Sequence, residues 1–556
     1  MLDCGENVMN YPEISSIREM VQMAANEDGG KIAFRYRIKK DDIAEITFSE
    51  FYNETLFLGA GLRELGLGDC HIACAAGNSY RWIVSYISRL QSRGVFVPVD
   101  KDLPPRDLVN VINVSSSKAV FCDKNTMKVM MKHISELPYV KYFICFDSDT
   151  DDGRFISYDK VIALGRKAGT EGFLNEEPMD KNALKLLVFT SGTTGSSKGV
   201  MLSENNLIAE VNYGLKVCNV LTVGLSVLPL CHTYEAVVDV LSSIHCRATM
   251  CINTSLKKIL PDFNLYKPDY IIVVPLFAEM FIDSIKRSIK KQGKEKKFRF
   301  GVRLCRFLRK FGIDIRRRVF KDILDGFGGN LRLIICGGAA IRKEIGEFFD
   351  DIGITLIGGY GITECSPLVS VNTFSDNSFE SAGHRLPCME WKIDEPDSSG
   401  EGEILVKGPN VMIGYYNDPE RTAEAFSDGW FRTGDFGRIT EDDRLIITGR
   451  KKNIIVLNNG KNIYPEEIEN IIQGIDYITE VVVKPYYNDK GDTVGLSAEI
   501  YSSDESIKPL KDIEADIREV LKELPPYKHM ISVEIRKEPF NKTTSRKIVR
   551  DYVTKG

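Results

Sequence analysis

The chain has 556 residues, more than one hydrophobic core usually organises, so at least two domains are expected. Hydrophobic residues make up 43% and charged residues 27%, an ordinary globular balance, and the net charge of −5 argues against a nucleic-acid binder. Residues 1–20 hold four acids and no apolar core, which predicts no secretory leader, and the apolar stretch 270–282 is broken by Pro275 and Glu279 and too short to span a bilayer.

Short apolar runs alternate with amphipathic stretches along most of the chain. Strands are expected at 71–76, 95–99, 119–122, 142–146, 186–190, 248–252, 270–274, 331–336 and 355–357, with helices at 48–65, 79–92, 205–217 and 341–351. This alternation predicts an α/β fold with largely parallel sheets, whose ligands collect where strands end in Gly, Ser or Thr. Between 285 and 321 lie sixteen Lys/Arg and two acids, with Leu304, Phe307, Leu308, Phe311 and Ile315 at helical spacing. Beyond about 380 the runs shorten (403–407, 437–439, 445–448) and suit a β-rich lobe. From 451 a helix (465–473), two strands (478–484, 496–501) and a helix (513–524) predict a compact α+β domain. The thirteen cysteines are scattered and odd in number, without Cys-x-x-Cys, as expected of reduced thiols in a cytoplasmic protein. Neither Cys231-His232 nor His245-Cys246 has zinc-ligand spacing, so no zinc site is expected.

Five strings carry chemistry. Val188-Phe-Thr-Ser-Gly-Thr-Thr-Gly-Ser-Ser-Lys-Gly199 leaves a strand as an unbroken run of glycines and hydroxyls, which suits a polyphosphate, with Lys198 as counter-charge; it lacks the Gly-Lys-Ser/Thr of a Walker A loop. Gly358-Gly-Tyr-Gly-Ile-Thr-Glu-Cys-Ser-Pro367 offers a ring at Tyr360 for a purine, a hydroxyl at Thr363 for a phosphate and a carboxylate at Glu364 for Mg²⁺. Cys336-Gly-Gly-Ala-Ala340 lets backbone approach a flat ligand. Gly429-Trp-Phe-Arg-Thr-Gly-Asp435 and Thr448-Gly-Arg-Lys-Lys-Asn453 supply an acid and a base for a ribose diol. Taken singly, a surface loop, a tight turn with a solvated acid or a pair of β-turns would read the same way.

Together and in this order, the strings resemble the adenylate-forming superfamily of acyl-CoA synthetases, luciferases and nonribosomal adenylation domains, from about residue 45 to 551. The resemblance implies a large N-terminal domain, residues 1–450, with two parallel-sheet lobes and a β-rich lobe, and a small mobile C-terminal domain, residues 451–556, hinged at Lys452. It implies ATP, Mg²⁺ and CoA as co-substrates and cofactor. Thr190, Ser191, Gly192, Thr193, Thr194 and Lys198 would handle the β- and γ-phosphates. Gly337, Gly338 and Ala339 would border adenine, with Tyr360 and Gly361 beside it. Thr363 would touch the α-phosphate, Glu364 would hold Mg²⁺, and Asp435 and Arg450 would hold the ribose. His232, in Pro229-Leu-Cys-His-Thr233, falls beside the acyl and thiol tunnel, or is a histidine satisfied in a wall. Gly460 would leave room for pantetheine. Asn541-Lys-Thr-Thr-Ser-Arg-Lys-Ile548 resembles the catalytic lysine segment and makes Lys547 the candidate, although Arg546 stands where the family usually has glycine. A second departure is Cys246-Arg247, where the family commonly turns on glycine.

The basic insertion and residues 459–465 resemble long-chain fatty-acid–CoA ligases of bacterial type. The expected reaction is activation of a fatty acid to acyl-AMP with release of pyrophosphate, then transfer to CoA. A carrier-protein thiol is the alternative acceptor, and a non-catalytic nucleotide-binding scaffold is a further alternative. The insertion is either a peripheral contact with an anionic membrane surface or a solvated excursion.

Overall fold

The computed structural model describes residues 11–39, 42–175, 180–190, 198–458, 461–488, 491–503, 508–542 and 548–550. Two compact units emerge: Met1–Glu390 with Lys407–Glu424, and Trp391–Val406 with Ala425–Gly556. This division groups the β-rich sheet with the C-terminal stretch, whereas the resemblance draws its functional boundary at 450/451.

The first unit holds two large sheets. In one, strands follow one another across the sheet in the order Phe155–Ser157, Tyr142–Cys145, Ala119–Cys122, His71–Ala75, Val95–Pro98 and Leu184–Thr190, all parallel. Lys198–Ser203 and Gly414–Tyr415 close the far edge antiparallel. The other places Thr355–Gly361, Leu333–Cys336, Tyr270–Val273, Val223–Ser226, Thr249–Ile252 and Ile32–Lys39 side by side and parallel, with antiparallel strands at both edges. Every residue of Val95–Pro98, Ala119–Cys122, Thr249–Ile252, Tyr270–Val273 and Leu333–Cys336 is buried. Helices cover such strands on both faces, so the runs are continuously apolar rather than alternating.

Local signals agree with the elements. The helix Phe48–Glu64 starts in a capping box: Thr47 Oγ1 accepts the Glu50 N–H, and the Glu50 carboxylate accepts the Thr47 N–H. No disulfide forms among the described cysteines, and Cys74, Cys122, Cys145, Cys251 and Cys336 are buried within strands as small apolar residues.

In the second unit, Gly402–Lys407, Trp430–Ile439 and Leu445–Arg450 pair antiparallel in a five-stranded sheet. Beyond it, Glu480–Tyr487, Thr493–Tyr501 and Met530–Ile535 form a three-stranded sheet. Ile468 and Ile472 of the helix Pro465–Ile472 and Ile513 and Ile517 of Leu510–Val520 pack on its Val481, Val483, Leu496 and Ala498.

Candidate active site

In the nine-stranded sheet, two neighbouring parallel strands deliver candidate residues at their carboxyl ends. Leu333–Cys336 runs into Gly337, Gly338 and Ala339, of which Gly338 and Ala339 are exposed; Gly338 has φ +82°, a conformation glycine adopts without strain. Beside it, Thr355–Gly361 ends on Tyr360, whose residue is only 8% exposed, and on Gly361, where a Cβ would lie 2.3 Å from the Pro367 carbonyl. Thr363 and Glu364 follow in one 3₁₀ turn and are half-buried.

The edge of the other sheet reaches Glu364. Thr190 stands opposite Lys198 in the antiparallel pair, and Tyr415 pairs with Val200 on the next strand out. The Lys198 ammonium lies 5.2 Å from the centre of the Tyr415 ring, and the Tyr415 hydroxyl donates to Glu364 Oε1 at 3.0 Å. The Met412 N–H donates to the Glu364 carbonyl at 2.8 Å, so backbone and side chain are both anchored. Burial, and then the Glu364 carboxylate, push the Tyr415 phenol well above its ordinary range, so it stays a donor at neutral pH. A cation on a ring face and a hydroxyl on a carboxylate thus join Lys198 to Glu364 through one side chain. Ser191, Gly192, Thr193 and Thr194 lie outside the described residues.

His232 is half-buried in the connection between Val223–Ser226 and the π-helix Tyr234–Leu241. Below it, that helix carries two buried acids. Glu235 accepts the Ser226 hydroxyl, and Asp239 accepts from Ser243 at 3.1 Å and Tyr270 at 3.2 Å. Burial raises both carboxyls, Glu235 being raised further by Asp239, and Asp239 is pushed up to about 7. The Arg247 departure has a clear backbone consequence: φ is +55°, the left-handed conformation that glycine would adopt freely. Its guanidinium donates to the His245 carbonyl at 2.5 Å and to Glu27 at 2.9 Å. Burial, and then the Arg247 charge, lower His245 to about 4, so that imidazole is neutral.

In the second unit, Asp435 and Arg450 are cross-strand partners, with Arg450 Nε 3.0 Å from Asp435 Oδ1. Thr433 Oγ1 accepts the Asp435 N–H at 3.1 Å. Glu403 collects Arg432, from the Asp435 strand, at 2.7 Å and Lys451, the residue after Arg450, at 2.8 Å, tying the two strands together on one side of the pair. Lys452 is exposed in the single turn Lys451–Asn453 that follows. Gly460, Arg546 and Lys547 lie outside the described residues. The chain flanking 543–547 is held together, since Lys542 bridges to Ile548 and the Val549 N–H donates to the Asn541 carbonyl at 2.8 Å. Arg550 is clamped by the buried Glu469 at 2.6 Å.

The family model for AMP-binding enzymes matches residues 21–416. The chain belongs to that family. It is similar to the long-chain-fatty-acid–CoA ligase FadD15 of Mycobacterium bovis, 28% identical over 468 residues, covering 79% of this chain and 75% of that protein. It is also similar to the long-chain-fatty-acid–[acyl-carrier-protein] ligase AEE15 of Arabidopsis thaliana, 26% identical and covering 86% and 76%. Among solved structures, an anthranilate CoA ligase in complex with anthranoyl-AMP superposes with a TM-score of 0.78 at 17% identity, covering 98% of this chain and 97% of that one.

In this AMP-binding enzyme, Tyr415 is the contact the sequence reading did not single out. It sits in a two-residue strand, too short for periodicity to show, and only the pairing with Lys198–Ser203 brings it to Glu364. Tyr234 is a second such residue: its hydroxyl donates to the Ile335 carbonyl at 3.3 Å, and a Cβ on Gly337 would lie 3.0 Å from its ring.

Proposed function

We propose that this AMP-binding enzyme activates a fatty acid as its acyl-AMP at the expense of ATP, releasing pyrophosphate, and then transfers the acyl group to the thiol of CoA. The observation that carries the reading is the Lys198–Tyr415–Glu364 connection beside the strand ends at Gly337–Ala339 and Tyr360. A carboxylate approaching a triphosphate needs fixed positive charge and a held cation, and a flat base needs open backbone and a ring. The likeness to a fatty-acid–CoA ligase over most of the chain supports the acid and the acceptor.

The roles follow by position. Thr190, Ser191, Gly192, Thr193, Thr194 and Lys198 receive the β- and γ-phosphates. Tyr360 and Gly361 face adenine across from Gly337–Ala339, and Thr363 donates to the α-phosphate. Glu364 fits Mg²⁺, being a half-buried carboxylate oriented by a hydroxyl on one oxygen. Bound there, Mg²⁺ would neutralise charge on the triphosphate. Asp435 and Arg450 hold the ribose, and Lys547 balances charge in the first step. Rotation at Lys452 withdraws Lys547, and Gly460 leaves space for the thiol arm in the second. His232 borders the path of acyl chain and thiol.

We assign 285–321 as a peripheral membrane contact. The helix Glu295–Arg309 buries Gly301 and Cys305 and turns Phe300 and Phe307 outward, 67% and 57% exposed, followed by Phe311 at 67%. Arg303 and Lys310 flank that stripe and are exposed. Among the described residues no helix is long and apolar enough to cross a membrane.

The test is pyrophosphate release across a panel of fatty acids, followed by product analysis with CoA or with a phosphopantetheinylated carrier protein. Acid-dependent release and acyl-CoA formation are expected. The plant relative makes carrier transfer the second reading, and thioester on the carrier alone would select it. No acid-dependent release with any chain length would overturn the proposal.

A further inference from the structure

Asp100, Cys231 and His232 bring a carboxylate oxygen, a thiol sulfur and an imidazole nitrogen within 4.8 Å of one another, all three residues half-buried. Asp100 follows the strand Val95–Pro98 of one sheet, and the Cys-His pair follows Val223–Ser226 of the other, so only the packed first unit assembles the group. The backbone on each side is held. The Val99 N–H donates to the Cys74 carbonyl at 2.9 Å. Asn78 clamps the second segment, its amide donating to the Leu228 carbonyl at 2.6 Å and its oxygen accepting the Leu230 N–H at 3.0 Å. The His232 carbonyl accepts the N–H groups of Glu235 and Ala236. The Asp102 N–H donates to Asp100 Oδ1 at 2.9 Å and orients the carboxylate, while Lys101 is ion-paired with Asp102 at 2.7 Å.

We propose that Asp100, Cys231 and His232 bind a borderline-soft divalent cation of the zinc type, and that its binding inhibits the enzyme by engaging His232. Thiolate, imidazole and carboxylate are the three zinc ligand types, and bonds of about 2.0–2.3 Å place donor atoms about 3–4 Å apart, within a rotamer adjustment of the observed spacing. Three protein ligands leave a fourth position for water. Binding releases one proton, from the Cys231 thiol, as the sulfur–metal bond forms. Mg²⁺ takes an all-oxygen shell and does not select a sulfur donor, so the nucleotide's metal and this one are chemically separate. The inhibitory half of the proposal rests on the ligase reading and its place for His232; the binding half does not.

The experiment titrates the full chain with Co²⁺ and then Zn²⁺ in excess Mg²⁺, reading the thiolate-to-cobalt charge-transfer band and the metal retained after gel filtration. One tight equivalent is expected, with cobalt displaced by zinc. Cys231→Ala should lose the band and weaken binding at least about 100-fold, and Asp100→Asn should keep the band and weaken binding at least about tenfold, since even partners behind a ligand are worth that much. Zinc should inhibit acyl-CoA formation by the parent enzyme, and Cys231→Ala should escape inhibition with its metal-free turnover intact. A full-strength band in Cys231→Ala, or no tight equivalent in the parent chain, overturns the site. Equal zinc inhibition of parent and Cys231→Ala overturns the inhibitory role. A cobalt band in a chain that activates no fatty acid supports the site and counts against the ligase reading alone.

Discussion

Asp435 and Arg450 face each other across two antiparallel strands, the carboxylate side chain 4% exposed and the guanidinium 43% exposed. The pair therefore has a buried anchor and an arm open to solvent. Asp435→Ala should raise the KM for ATP by about 10- to 100-fold, the worth of one or two hydrogen bonds to a charged group. The KM for the fatty acid should change much less. An unchanged KM for ATP removes Asp435 from the nucleotide site.

Tyr415→Phe deletes the hydroxyl that Glu364 accepts and keeps the ring beneath Lys198. A carboxylate that loses its orienting partner binds its cation about 10–100-fold less well. The Mg²⁺ concentration for half-maximal pyrophosphate release should rise accordingly, with little change in thermal stability. If the Mg²⁺ dependence is unaltered, the hydroxyl is merely filling space.

Lys547→Ala should abolish acid-dependent ATP–pyrophosphate exchange while sparing thioester formation from preformed acyl-AMP, because charge converges only in the first step. Lys452→Pro should do the reverse, since a fixed φ restricts rotation at the turn Lys451–Asn453. The two half-reactions are assayed separately. Equal losses in both steps for either variant remove that assignment, and selectivity at Arg546→Ala would move the lysine register by one.

Asp239, raised to about 7 by burial, predicts a pH dependence of stability. A carboxyl held neutral in the fold binds more protons folded than unfolded, so its stabilisation is fully present below the unfolded pKa of about 4. That stabilisation is lost as pH rises towards 7, by up to about 1.4 kcal/mol per pH unit. Asp239→Asn, which is neutral at every pH, should flatten the fall in thermal midpoint between about pH 4.5 and 7.5. A parent midpoint already flat across that window contradicts the assignment.

The outward face of Glu295–Arg309 predicts vesicle binding of a particular pattern. Arg306 is paired with Asp351 at 2.6 Å and Arg309 with Asp350 at 2.6 Å, so the basic residues of this helix are not equivalent. Gln at Arg303 and Lys310 should weaken binding to anionic vesicles at low salt by roughly tenfold or more, at about 1 kcal/mol each. Gln at Arg306 and Arg309 should weaken it less. Absence of any preference for anionic over neutral vesicles in the parent protein reduces the helix to a solvated excursion.

Each of the nine strands expected in the parallel lobes overlaps an observed one, because a strand covered on both faces must be apolar along its whole length. Val223–Ser226, with a glycine in four residues, and the edge pair Ile32–Lys39 and Asp42–Thr47, with charges throughout, broke that pattern and were not expected. The order of chemistry-bearing strings along the chain is likewise a one-dimensional property, and Thr190, Lys198, Gly337–Ala339, Tyr360–Glu364, Asp435 and Arg450 could be named from it. Tertiary structure alone decided which side chains meet. Tyr415 reaches Glu364 through the pairing of a two-residue strand, and Asp100 reaches Cys231 and His232 through the packing of two sheets. Arg306 and Arg309 turn from surface charges into partners of Asp351 and Asp350 by the same kind of packing. Such contacts join residues far apart in the chain, where neither period nor spacing carries a signal, and they exist only once the burial of the strands has set the register between elements.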